Sequence, residues 1–306
     1  MPPLAKFAAA PFGVVERFAE GDDGPAILPV TLRNVEQDLK ISGLAMADQG
    51  TVATLQLKED ADIIRWYRKV HQYDGWGQIS RQQARRDSAT PLPNVLPDGD
   101  KDAVETRMLS LLDGNSASKK LALPQSDSKD PRPFEVVGIP LPTGFHVVEI
   151  ASPMLGDVLL NQGYKAANRV MYVRTAALVT NLGVHFKLGR ENAMAWVTSL
   201  DKGKPVPNAQ VRVSTCDGKT LVQATTDASG IARFDKLDTQ KAVRCSAGSS
   251  DSSAAYFVSA RAVVDGKPDM AFVWTDWQRG IESWRFNLDT DSNPMADVVA
   301  HTVLDR

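Results

Sequence analysis

From Leu188 onward, turn signals recur about every ten residues, and this spacing limits the fold more than any other feature of the sequence. Leu188-Gly189, Lys202-Gly203, Asp217-Gly218, Ser229-Gly230 and Asp265-Gly266 punctuate short β-prone runs. Those runs are Ala193-Met-Ala-Trp-Val-Thr198, Gln210-Val-Arg-Val213, Ile231-Ala-Arg-Phe234 and Ala255-Tyr-Phe-Val-Ser259. Chain reversals this frequent leave no room for the helical crossovers that a parallel sheet needs, so the pattern predicts an antiparallel sandwich or barrel. No stretch between Val170 and Asp289 reads as a long amphipathic helix.

The N-terminal half has the same strand grammar with one interruption. Phe12–Phe18, Ile27–Arg33 and Thr51–Leu57 read as strands, the last with period-two alternation. Glu59 to Tyr73 then sets Ile63, Tyr67 and Val70 at helical spacing, widened by Ile64 and Trp66, with Asp60 and Asp62 suited to a helix first turn. A second helix is expected from about Lys101 to Asp113, carrying Val104, Met108, Leu111 and Leu112 and stopping at Gly114. The polar segment between these helices holds Pro91, Pro93, Pro97 and the basic cluster Arg81, Arg85 and Arg86, for which a solvated surface is the default reading. Phe134–Val137 and Phe145–Ile150, joined by Pro142-Thr-Gly144, look like a hairpin, and Val170–Arg174 begins a further strand.

At 306 residues the chain is long enough for two domains. Its 35 basic and 37 acidic residues nearly cancel, which gives no general electrostatic reason to bind nucleic acid or anionic lipid. No apolar run approaches the ~20 residues of a membrane span, and the first residues lack a signal peptide's charged and apolar regions.

Chemistry is scarce. His71, His146, His185 and His301 share no helical-turn spacing, and there is no His-Glu-x-x-His pattern, nucleophile elbow or phosphate-binding glycine loop. His146 and His185 fall in strands, where a satisfied, partly buried imidazole is expected. Glu59, Asp60 and Asp62 read as a helix start, and Asp289 with Asp291 as a solvated connection. These patterns predict no catalytic residues, no cofactor and no metal. Cys216 and Cys245 are 29 positions apart. A disulfide between them would be worth roughly 3.5 kcal/mol in the chain-entropy model, and two unpaired thiols are the alternative. Trp274, Trp277 and Trp284 are close enough in sequence to form a binding surface that stacks on sugar rings, or to fill a core.

One segment is more specific. Gly203-Lys-Pro-Val-Pro-Asn-Ala-Gln-Val-Arg-Val213, then Asp217-Gly218, then Thr225-Thr-Asp-Ala-Ser-Gly-Ile-Ala-Arg-Phe234 resembles the repeated immunoglobulin-like domains of secreted proteins. Here the prolines pass between sheets, Ala209 and Val211 face inward, and Gly230 turns a hairpin. Together with Leu178–Arg190, Trp196-Val-Thr-Ser199, Tyr256-Phe-Val-Ser259 and Ala300–Arg306, it resembles the bacterial alpha-2-macroglobulins. The resemblance is good over residues 134 to 306 and weaker before that.

The resemblance implies a mainly β chain of tandem immunoglobulin-like (macroglobulin-like) β-sandwich domains, the first with a helical insertion. The first would span residues 1–174 with its insertion at about 58–133, and the second 175–298, with 299–306 starting a following domain. It also implies a scaffold segment of a protease inhibitor that traps endopeptidases in the periplasm, the full-length form being attached to the inner membrane as a lipoprotein. The partners implied are the remaining domains, target proteases and a peptidoglycan synthase. The family's thioester needs Cys-x-Glu-Gln, whereas Cys216 precedes Asp-Gly-Lys and Cys245 precedes Ser-Ala-Gly, so the reactive chemistry is not expected here. The alternative, from the Trp cluster, is a cell-surface or periplasmic glycan- or protein-binding module.

Overall fold

The computed structural model describes residues 4–17, 26–33, 51–74, 77–92, 103–122, 135–160, 170–189, 192–235, 237 and 255–275. Among them, strands predominate and are arranged in two sandwiches. The first stacks a three-stranded sheet on a five-stranded one. The smaller sheet has the order β1-β3-β8, from Leu4–Phe7, Ala26–Arg33 and Glu135–Leu141. The larger has the order β2-β10-β9-β4-β7, from Phe12–Glu16, Met171–Thr180, Gly144–Ser152, Thr51–Leu57 and Lys119–Ala122. Phe7, Leu28, Val30 and Leu32 of the small sheet pack on Val52, Val148, Ile150, Ala177 and Val179 of the large one.

The second sandwich faces β11-β12-β15 (Leu182–Leu188, Ala193–Ser199, Ile231–Phe234) against β14-β13-β16-β17 (Thr220–Thr225, Gln210–Thr215, Tyr256–Val264, Lys267–Trp274). Every pairing within it is antiparallel. The inward setting expected for Ala209 and Val211 is observed.

Helix α1 spans Asp60–Tyr73 and buries Ile63, Ile64, Trp66 and Val70 of the predicted stripe, with Tyr67 half-buried and Tyr73 buried in addition. A short helix α2, Arg81–Asp87, begins where Ser80 Oγ accepts from Gln83 N at 3.2 Å, and it carries Arg81, Arg85 and Arg86. The second long helix does not form. Ala103–Glu105 is strand β6, paired with β5 (Gln78–Ser80), and Thr106–Met108 is a single 3-10 turn. Leu109, Leu111 and Leu112 are buried all the same, because the irregular chain after that turn is tied to a buried carboxylate and not to its own carbonyls. Helix α3 (Pro153–Leu159) follows β9, with proline in its first turn.

Two expected hairpins are corrected. β8 pairs with β3 while β9 pairs with β4 and β10, so Pro142-Thr-Gly144 carries the chain from one sheet to the other. Gly144 has φ +124° there, a conformation few other residues adopt. Likewise Gly230 turns the chain between β14 and β15, which lie in opposite sheets. A Cβ on Gly230 would stand 2.5 Å from Val197 O. Alternation and turn residues look the same in a hairpin and in such an arch, so the sequence does not distinguish them.

β9 is buried on both faces. Phe145, Val147 and Glu149 point towards the helices, and His146, Val148 and Ile150 towards the small sheet. His146 is satisfied as expected, with Nε2 2.7 Å from Pro142 O, and burial holds its pKa below the ordinary value of 6.5. The unfolded chain therefore binds the imidazole's proton more readily. The stability tied to neutral His146 is complete above about pH 6.5 and is lost as pH falls through the depressed folded value. The thermal midpoint should drop between about pH 7 and pH 5, and His146→Gln should flatten that drop. An unchanged slope in the variant would assign the effect to other groups.

Candidate functional site: the junction between the sandwiches

The residues that bring the two sandwiches together are polar groups forced into an apolar setting. Register places Glu149 directly opposite Arg174 on neighbouring strands, on the face covered by α1. Both side chains are 3% exposed, and Arg174 Nε lies 3.2 Å from Glu149 Oε2. The guanidinium also donates to Tyr73 O at 2.7 Å, the last carbonyl of α1, and to Leu109 O at 2.5 Å. Glu149 accepts from Ser110 Oγ at 2.5 Å and Leu111 N at 2.9 Å. A buried pair is costly to desolvate and persists when its remaining donors and acceptors are satisfied, as they are here. Around it, Tyr73 OH donates to Asp87 Oδ2 at 2.8 Å. Burial first, then that bond, raises the phenol pKa. Lys69 donates to Asp87 O at 2.6 Å, and burial lowers its pKa.

Two further carboxylates tie the first sandwich to the second. Asp269 on β17 accepts from Thr180 Oγ1 at 2.8 Å, at the end of β10, and from Asn181 N at 2.9 Å, the residue between β10 and β11. It also pairs with Arg17 at 3.2 Å, just after β2. β10 thus stays in the five-stranded sheet to Thr180, which pairs with Glu16 of β2, and the expected boundary at residue 174 falls inside a strand. On the other side, Asp60 stands in the first turn of α1 as expected, and its carboxylate turns inward to the second sandwich. It accepts from Ser259 Oγ at 2.8 Å and from Arg261 at 2.5 Å, both on β16. Gly218, in the β13–β14 turn at φ +89°, sits so close to α1 that a Cβ would be 2.9 Å from that of Ala61.

Between these polar ties lies an aromatic cluster. Phe12 packs at 5.4 Å from Tyr67 and 5.5 Å from Phe272, Phe145 at 5.9 Å from Phe272, and Tyr67 at 5.7 Å from Trp274. Trp274 is therefore no surface ring: it is 4% exposed, with the Arg68 guanidinium 5.6 Å above it. Trp277 and Trp284 lie outside the described residues, as do His301, Asp289 and Asp291. Cys216 is buried and disulfide-bonded; Cys245, the other cysteine of the chain, lies outside the described residues. His185 is exposed, not partly buried, and its ring is 5.5 Å from that of Trp196. Among the described residues no group of His, Cys, Asp or Glu could hold a metal, and no helix is long and apolar enough to cross a membrane.

Sequence reasoning missed Glu149, Arg174, Asp269 and the inward turn of Asp60. The signal available for Glu149 was a charge inside an otherwise apolar strand, Phe145–Ile150.

The fold and its junction define a class: tandem immunoglobulin-like sandwiches interlocked through a shared core. Residues 179–293 match the family model described as the bacterial alpha-2-macroglobulin MG3 domain. A solved structure of native alpha-2-macroglobulin from Escherichia coli spanning domains MG0-NIE-MG1 is 16% identical, with a TM-score of 0.41 over 89% of this chain and 64% of that one. Another, spanning NIE-MG1, is 16% identical with a TM-score of 0.42, over 88% of this chain and 96% of that one. The chain thus spans just under two thirds of the first of these. At such scores neither likeness carries an argument. No curated protein matches the sequence.

Removing one partner from a buried pair strands the other charge. Arg174→Met is expected to cost about 3–5 kcal/mol in urea denaturation. Arg174→Met combined with Glu149→Leu should recover much of that loss; simple additivity of the two single variants would show that the groups do not act as a pair.

Proposed function

We propose that this chain is a scaffold segment of a bacterial alpha-2-macroglobulin-like protease inhibitor, one that traps endopeptidases in the periplasm and places its reactive chemistry elsewhere. The observation that carries this reading is the junction, read together with the family match of residues 179–293. The apolar cluster runs without a break from Phe145 and Tyr67 to Phe272 and Trp274 and is flanked by Asp60–Arg261 and Arg17–Asp269. Domains joined by a polar, wet contact move independently, whereas a continuous apolar contact makes them one body. Such a body suits the holding of bait and capture elements at fixed separation and the passing on of their rearrangement.

The proposed domains are a first sandwich with its insertion at 58–133, a second that runs to residue 298, and the start of a following domain at 299–306, with the boundary between the first two moved from 174 to Asn181, between β10 and β11. In this reading Cys216 pairs with Cys245, as suits an oxidising compartment. Neither cysteine stands in a Cys-x-Glu-Gln sequence, so the segment forms no thioester, and in this reading it has a scaffold role without catalysis. Its partners are the remaining domains and, through them, target proteases and a peptidoglycan synthase, with a lipid anchor on the full-length protein.

Incubated with several endoproteases, the fragment should neither inhibit them nor form a covalent adduct; stoichiometric trapping would overturn the scaffold reading. Rigidity has its own test. Gly218→Val combines a strained φ with a clash against α1 and should split the single unfolding transition into two in calorimetry. If the transition stays single at a reduced midpoint, the β13–β14 turn does not couple the sandwiches.

A further inference from the structure

The outer face of β11-β12-β15 carries a surface that the scaffold role does not use. Register aligns Ile231, Trp196 and His185 in one row across the three strands, and Arg233, Met194 and Lys187 in the next. Trp196 is 40% exposed, in a sandwich whose other described tryptophan is buried. Its indole and the His185 imidazole are tilted by 35° at 5.5 Å, which makes a nearly continuous ring surface. Lys187 and Arg233 lie two strands apart, about 10 Å at the backbone. The outward positions of the three strands include no acidic residue. Asp235, just past the end of β15, forms no ion pair with Arg233 among the described residues. The face is therefore aromatic at its centre and cationic along one side.

We propose that this face binds an anionic saccharide, with a sugar ring lying on Trp196 and a carboxylate held between Lys187 and Arg233. A pyranose offers a flat array of C–H groups that matches an exposed indole, and arginine and lysine take a carboxylate through charge-assisted bonds. Two other occupants fit less well. A second copy of this chain related by a twofold axis would bring the same cations face to face. An extended peptide laid on the face would find no backbone groups, because β12 spends its own on β11 and β15. Leu200 fills the space above Gly183, where a Cβ would come within 3.2 Å of it, so no side-chain pocket opens there.

This inference does not depend on the scaffold role and is tested on the whole 306-residue chain by titration calorimetry. The probes are tetragalacturonate, the neutral cellotetraose and polyglutamate. Tetragalacturonate should bind saturably and more tightly than either of the others. Trp196→Ala should weaken it about tenfold, Trp196→Phe less, and Lys187→Gln with Arg233→Gln should abolish the preference for it over cellotetraose. Circular dichroism melts verify that the variants remain folded, and the charge variants test the site even if Trp196→Ala does not. No binding of tetragalacturonate would overturn the proposal. So would equal binding of polyglutamate that is indifferent to Trp196, since that would mark a simple charge effect.

Discussion

The five-stranded sheet is covered on both faces, and most of the structure follows from that. One face packs on β1-β3-β8, and the other on α1, the chain around Leu109–Leu112 and the edge of the second sandwich. A sheet with one wet face alternates apolar and polar residues, whereas a doubly covered sheet needs apolar residues in succession. Phe145-His-Val-Val-Glu-Ile150 meets that need at all but two positions. Each large side chain so buried contributes on the order of 1.5–3 kcal/mol. The polar exceptions must then find partners inside the protein: His146 takes a turn carbonyl, and Glu149 takes Arg174 and the amides that follow the 3-10 turn.

The Glu149–Arg174 pair also explains why the insertion is only half helical. Arg174 closes the C-terminus of α1 through Tyr73 O and holds Leu109 O, while Glu149 collects Leu111 N. Backbone groups that would have closed a second helix are already engaged by side chains from the sheet below. The three leucines of that stretch are buried by an irregular path that helical periodicity cannot anticipate.

Coupling between the sandwiches has a similar origin. Only Asn181 separates β10 from β11, and Asp269 binds both Thr180 and the backbone of Asn181. With so short a link, the relative orientation of the sheets is set by the side chains that meet across it. Those are aromatic rings bounded by two salt-bridged carboxylates. The chain continues from one core into the next, and the family match of residues 179–293 begins at the end of β10, just before this joint.

Much of this was legible in the sequence. Period-two alternation located β4, turn residues bounded β-prone runs such as β15, and the spacing of Ile63, Tyr67 and Val70 specified α1, because each of these depends on neighbours within a few positions. The order of strands within sheets, the arches at Gly144 and Gly230, the lost helix at Lys101–Asp113, the burial of Trp274 and the exposure of Trp196 and His185 were decided by tertiary structure alone. Each depends on which surface covers a residue, and those surfaces are contributed by chain segments tens or hundreds of positions away: Asp60 meets Ser259, and Arg17 meets Asp269.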